Sequence, residues 1–275
     1  MGLPRSQRAS RGERDNPRVV FGPGSLTWRV NGEAVLLLGG GRALLLQVAH
    51  PGVAAGVAEF SNYRDDPWTR LYRTLDTTLS IVFGDRHTSQ TASDRLDRIH
   101  ERVQGIDDRG RPYRALDPAL LLWVHATLID TSLTIYTRYV AQLTPTELDR
   151  YYEEMKTLGQ AYSIPSCAMP ADYAAFRGYW ESMLTDGLRV TDTTRDVAEA
   201  VLRPDLSPLA WPAVEFLRLV TVGTLPARLR NELDLPWGPA RERALAGSQL
   251  ALRRLMPVLP ALVRRFPRAR AGTLG

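Results

Sequence analysis

Asp66-Pro67-Trp68-Thr69-Arg70-Leu71-Tyr72-Arg73-Thr74 is the stretch on which the fold turns. Asp is a strong N-cap, Pro suits the first helical position, and neither belongs in a central strand. The residues that follow have helical period. Arg70, Arg73, Thr74 and Thr77 fall at i, i+3, i+4 and i+7, one face of a helix. Leu71, Tyr72, Leu75, Leu79 and Val82 take the other face, the side a core would bury.

Working outward, the same period predicts helices over 33–49, 53–60, 67–84, 88–104, 118–140, 145–162, 171–184, 194–202, 207–220 and 240–255. Thr144-Pro145-Thr146-Glu147 is a full capping box, and His50-Pro51 breaks the chain between two helices. No segment alternates with period two, and no internal repeat is found. The fold class predicted is all-α: a single-domain multi-helix bundle spanning 21–265. A basic N-terminal arm (1–20) and a C-terminal tail (266–275) flank it. Gly39-Gly40-Gly41 lacks the spacing and the Lys-Ser/Thr ending of a phosphate loop, so it reads as a close helix crossing.

The chain has 275 residues, 44% of them apolar, which is enough for a sizeable core. Its net charge is +5, yet Lys156 is the only lysine among 35 basic residues. Arginine number is therefore weak evidence for nucleic acid, and no reader motif supports such a partner. The arginines at both chain ends, including Arg253, Arg254, Arg264, Arg265, Arg268 and Arg270, read as solvated. Cys167 stands alone, so it is expected to be a buried free thiol rather than half of a disulfide. The sequence opens without a signal peptide, and its most apolar stretch, 34–49, falls short of the roughly 20 residues that span a bilayer. A cytoplasmic protein without stable membrane insertion is expected, and self-association is compatible with this composition. The apolar run 255–263, flanked by arginines, suits either a membrane-surface contact or packing on the core; the second is the simpler reading.

Four histidines can be weighed one by one. His87 lies in a polar turn. His50 precedes Pro51, where bonding to local backbone explains it. His125, with Leu121, Leu122, Leu128 and Ile129 at helical spacings, must be buried and needs partners. His100 sits among Leu96, Ile99 and Val103 on an apolar stripe. A cationic, hydroxyl-bearing face followed by an inward imidazole suits an anionic, iron-bearing cofactor such as haem, with His for the iron and Arg for the propionates. A satisfied core histidine and a solvated arginine face, with Asp66 or Asp76 as counter-ion, remain the plain alternatives. Paired metal ligands such as HExxH, a GxSxG elbow and Asp-rich magnesium motifs are absent from the sequence. Asp65-Asp66 and Asp107-Asp108 read as helix-end caps.

At these residues the chain resembles a known family. Gly39-Gly40-Gly41-Arg42-Ala43-Leu44-Leu45-Leu46-Gln47-Val48-Ala49-His50-Pro51 is similar to its opening motif. Asp66-Pro67, Arg70-Leu71-x-Arg73-Thr74, Phe83-Gly84, Arg98-x-His100 and Trp123-Val124-His125-Ala126-Thr127-Leu128 follow in the family's order. The family is the DUF2236 group, the oxygenase MpaB and rubber oxygenase (latex clearing protein) catalytic domains, and the likeness runs over about 21–238. The resemblance implies a helical fold holding haem b, with dioxygen as co-substrate and His100 as the iron ligand. It implies Arg70, Arg73 and Thr74 as catalytic groups of the distal pocket. Arg70, Arg73, Thr77, His50 and His125 are the candidate cofactor-binding residues. A distal lysine of the rubber oxygenases falls at Arg73 here; guanidinium stays protonated and is a poor iron ligand. The implied reaction is oxidation or cleavage of a small apolar, unsaturated (prenyl- or terpenoid-like) substrate. A haem dehydrogenase or peroxide-using oxidase, and a non-catalytic binder of apolar ligands, are the competing readings.

Overall fold

A computed structural model describes residues 21–61, 67–204 and 206–271; for 67–72 and 271 it describes the backbone alone. The described chain is helical apart from one small hairpin. Ser25 caps α1 (Leu26–Asn31) by accepting from the Trp28 N–H. A 3-10 turn, Ala34–Gly39, runs into α2 (Gly40–Val48). His50 and Pro51 then turn the chain by 105° into α3 (Pro51–Phe60). The antiparallel pair α4 (Pro67–Phe83) and α5 (Arg86–His100) comes next.

The hairpin β1 (Gln104–Ile106) and β2 (Pro112–Arg114) follows, with Gly105 opposite Tyr113. Sequence periodicity predicts α5 as far as Gln104, but the helix ends at His100. Three-residue strands are too short to show a period. Asp107, read above as a helix-end cap, instead closes the hairpin turn, accepting from the Arg109 and Arg111 N–H groups and the Arg111 side chain. Those bonds hold its carboxyl down at about 2.

The 22-residue α6 (Pro118–Tyr139) is the axis of the core. It is long and apolar enough to cross a membrane, but most of it is buried inside the protein. Against it pack α7 (Pro145–Ala161), with its capping box intact, and α12 (Pro239–Leu255); α8 (Tyr173–Ser182) packs on α7, α9 (Asp192–Leu202) and α10 (Trp211–Thr224) pack on α2, and the short α11 (Ala227–Glu232) follows α10. Short helices α13 (Ala261–Arg264) and α14 (Pro267–Ala271) bring the chain back to its start.

The glycine triplet serves close packing. A Cβ on Gly39 would lie 2.5 Å from Thr131 Cγ2, and one on Gly41 would lie 2.5 Å from Thr221 Oγ1. That intimacy lets α2 bond to α6 along its length. Arg42 donates to Asp130 (2.6 Å), Thr131 (2.6 Å) and the Thr224 carbonyl (2.9 Å). Gln47 donates to Thr127 at 3.2 Å, and the Trp123 indole donates to the Leu46 carbonyl at 3.1 Å. Two of the quoted motifs therefore form one helix crossing.

Two expectations change. Cys167 is exposed, because Ile164 and Met169 take the inward positions around its 3-10 turn. Arginines of the basic C-terminal stretch are not all solvated. Arg264 grips the buried Glu33 with Nε (2.8 Å) and Nη2 (2.7 Å), and Arg268 pairs with Asp76 at 3.0 Å. The packing of α14 on α4 buries Phe266 and Ala269.

Candidate functional site

α4 and α5 form an antiparallel pair joined at Gly84–Asp85, so position 100 lies at the same open end as 70, 73 and 74. On α5 the inward residues are Ser89, Ser93 and Leu96. His100 continues that row, since 89, 93, 96 and 100 share one helical stripe. It is half-buried and is the last residue of the helix. Ile99, placed beside it on an apolar stripe by sequence, is 50% exposed: the stripe runs one residue further round.

On α4 the division between faces holds at the buried Val82 and the exposed Arg73 and differs around Thr78. Ile81 and Val82 are fully buried, and Thr78 takes a hydrogen bond from the Tyr162 hydroxyl at 3.1 Å. Thr74, one turn before Thr78, therefore leans inward rather than away from the core. Leu75, Thr77 and Leu79 are half-buried, and Arg73 is exposed. The side chains of Arg70, Leu71 and Tyr72 lie outside the described residues, as does the cap Asp66. The packing overrides the simple apolar count because Arg268 occupies the far side of α4, bonding to Asp76 and Ser80.

His125 is fully buried in α6. Its Nε2 lies 2.8 Å from the Met155 carbonyl, and its ring meets Tyr162 edge-on at 5.5 Å. The carbonyl accepts only from a protonated Nε2, which leaves the Nδ1 lone pair bare. That Nδ1 has no hydrogen-bond partner. Burial drives the imidazole pKa down to about 4, so the ring is neutral. Gly159 makes room for it: a Cβ there would lie 3.2 Å from His125 Nε2 and 2.7 Å from Met169 Sδ. His50 caps α3, accepting from the Gly52 N–H through Nδ1 at 3.2 Å, and burial lowers its pKa. His87 is exposed.

Thr78, Tyr162 and Ser163, whose hydroxyl bonds to Asp97 of α5, were not singled out by sequence. Thr78 could have been found by continuing the 70–74 row one more turn. Tyr162 and Ser163 carry no local signal, because their role comes from where α7 ends. Among the described residues no group of three or more His, Cys, Asp or Glu could hold a metal ion. A surface cleft of about 340 Å³ is lined by Trp28, Arg29, Glu147, Arg150 and Arg265 among others, remote in sequence from these residues. Its cations are already engaged, Arg29 with Glu147 at 2.5 Å and Arg150 with Glu154 at 3.1 Å.

Comparison with known proteins agrees with this architecture. Residues 28–261 match the model of a family described as "ER-bound oxygenase mpaB/B'/Rubber oxygenase, catalytic domain". Two curated relatives are uncharacterized protein Mb2261 of Mycobacterium bovis and uncharacterized protein Rv2237 of Mycobacterium tuberculosis. Each is 30% identical over 214 residues, covering 73% of this chain and 80% of the relative. No solved structure matches the chain.

Proposed function

Because the chain belongs to the MpaB and rubber oxygenase catalytic-domain family, a family of oxygenases, we propose that it is a haem-b-dependent oxygenase. Its substrate in this reading is a small apolar, unsaturated molecule, with dioxygen as co-substrate. One observation carries the proposal. The half-buried His100 ends the inward stripe of α5 at the open end of the α4–α5 pair, where the backbone also brings positions 70, 73 and 74.

The residues fit the group. An imidazole on a core-facing helical stripe is a sound axial donor, and an arginine guanidinium such as that of Arg73 suits a carboxylate propionate. Haem b, when bound, would supply the redox-active iron at which dioxygen is activated. His100 would hold the iron from α5. Arg73, exposed at the rim, would bind a propionate or present a fixed positive charge to oxygen-derived anions. Arg70 belongs to the same rim by its backbone position. Thr74 would offer its hydroxyl from the inward row, with the Tyr162–Thr78 bond one turn behind it. Thr77, His50 and His125 stand farther back in this reading. His125 spends Nε2 on the Met155 carbonyl, and His50 spends Nδ1 on the α3 cap, so each has a structural task. An apolar interior around α6 would exclude water from the reacting double bond.

The test is spectroscopic. The purified full chain, supplied with hemin, should give a Soret band that sharpens and shifts on anaerobic reduction. His100→Ala should lose that ligand-field spectrum and retain hemin poorly. A preparation that stays colourless with hemin, or a His100→Ala protein with an unaltered spectrum, overturns the assignment.

A further inference from the structure

From the last residue of α12 onward the chain exposes a series of apolar side chains, interrupted by the buried Met256. Leu255 is 45% exposed, Val258 74%, Leu262 71% and Val263 63%, values far above those of a packed helix. Trp211 (63%) and Leu209 (94%) join them. The reason is the antiparallel packing of α10 on α12. A Cβ on Gly223 would meet Leu245, and Phe216 and Leu252 share one cluster, so the start of α10 comes beside the end of α12. The stretch 243–275 carries arginines and no acidic side chain; Arg264 and Arg265 are turned to Glu33 and Arg268 to Asp76, which leaves Arg253 and Arg254 beside the ridge. Arg253 and Arg254 form no ion pair with any described residue.

We propose that this ridge docks on the surface of an anionic phospholipid bilayer. Each half of the patch needs what such a surface supplies. The apolar side chains find acyl chains at the headgroup boundary, and Arg253 and Arg254 find phosphates. An exposed Trp beside such a series is the usual companion of a membrane interface. A second copy of the chain answers only the apolar half, because a two-fold contact would set arginines against arginines. The segment cannot span the bilayer: Pro257 and Pro260 break it, and it is far shorter than the roughly 20 residues required. The protein would therefore rest on the membrane by one end, with the bulk of the helical domain outside.

Vesicle flotation of the full chain tests this at low ionic strength. The protein should float with phosphatidylglycerol–phosphatidylcholine vesicles and stay behind with pure phosphatidylcholine. Arg253→Gln/Arg254→Gln should reduce partitioning about tenfold or more, since each arginine near an anionic surface matters that much in part. Val258→Ser/Leu262→Ser should abolish flotation while the far-UV circular dichroism and Tm stay unchanged. No flotation with the anionic vesicles overturns the proposal. So does flotation that survives the serine pair, or a dimer in sedimentation equilibrium that the serine pair dissociates while vesicle binding is absent.

Discussion

Ser163 and Asp97 tie the end of α7 to α5: the serine hydroxyl lies 2.8 Å from each carboxylate oxygen of the aspartate. Ser163 holds a positive φ of 63°, and Tyr162 beside it touches His125. Asp97 sits one turn before His100. This single contact therefore fixes the stretch that carries the proposed iron ligand relative to the buried histidine. Asp97→Ala should cost little stability, about 1 kcal/mol, as the pair is exposed. It should nonetheless speed hemin loss. Hemin transfer to an apo-globin acceptor would measure the effect, and an unchanged rate would separate the contact from the site.

Arg73 should behave as a surface residue until haem is present. Arg73→Ala should shift stability by no more than about 0.5 kcal/mol. In the hemin-loaded protein, the same change should alter the rate at which the reduced form oxidises in air. Identical decay curves for the two proteins would remove Arg73 from the distal side.

The buried pair Arg42–Asp130 should be costly to break. Both side chains are nearly inaccessible, and Asp130 also accepts from Arg177 at 2.8 Å. Burial lowers the Arg42 pKa, and Asp130 opposes that shift. Removing one partner strands the other charge in the core. Asp130→Ala should therefore lose about 3–5 kcal/mol in urea denaturation. A loss below about 1 kcal/mol would show that the crossing of α2 and α6 rests on packing alone.

Acid should weaken the fold through His125. In the unfolded chain this imidazole titrates near 6.5, and in the folded protein burial brings it to about 4. Between those values the unfolded state binds more protons, so stability falls as pH drops through that window. The full difference is about 3 kcal/mol below the folded value, and nothing is lost above the unfolded one. His125→Gln keeps a donor for the Met155 carbonyl and removes the titration. Urea midpoints of this variant should decline less between pH 6.5 and 4 than those of the parent. Parallel declines would mean that other groups set the acid limit.

The helices were legible because their ends are marked. Asp117-Pro118 and Thr144-Pro145-Thr146-Glu147 satisfy orphan amides in any surroundings, and both open helices at those residues. The glycine crossing was legible for a similar reason: three small residues in an apolar run leave room for a neighbour. The hairpin after His100 was not, since its strands are three residues each and its turn is built by one aspartate. The inward direction of the row through Thr78 was not legible, because it is set by Tyr162 and, on the far side of α4, by Arg268, nearly two hundred residues away, which claims Asp76 and Ser80. No local pattern announces such a partner. Cys167 was misplaced because a thiol's burial depends on which neighbours turn inward.

The grip of Arg264 on Glu33 spans 231 positions of the chain. Glu33 is wholly enclosed, and an enclosed carboxylate without its counter-ion is unfavourable. During synthesis the opening turns of the domain must stay loose and hydrated until that arginine leaves the ribosome. Completion of the opening turns is thus deferred until synthesis has passed residue 264. A nascent chain stalled before residue 264 should remain open to proteolysis near α1 even when α6 and α7 are already formed.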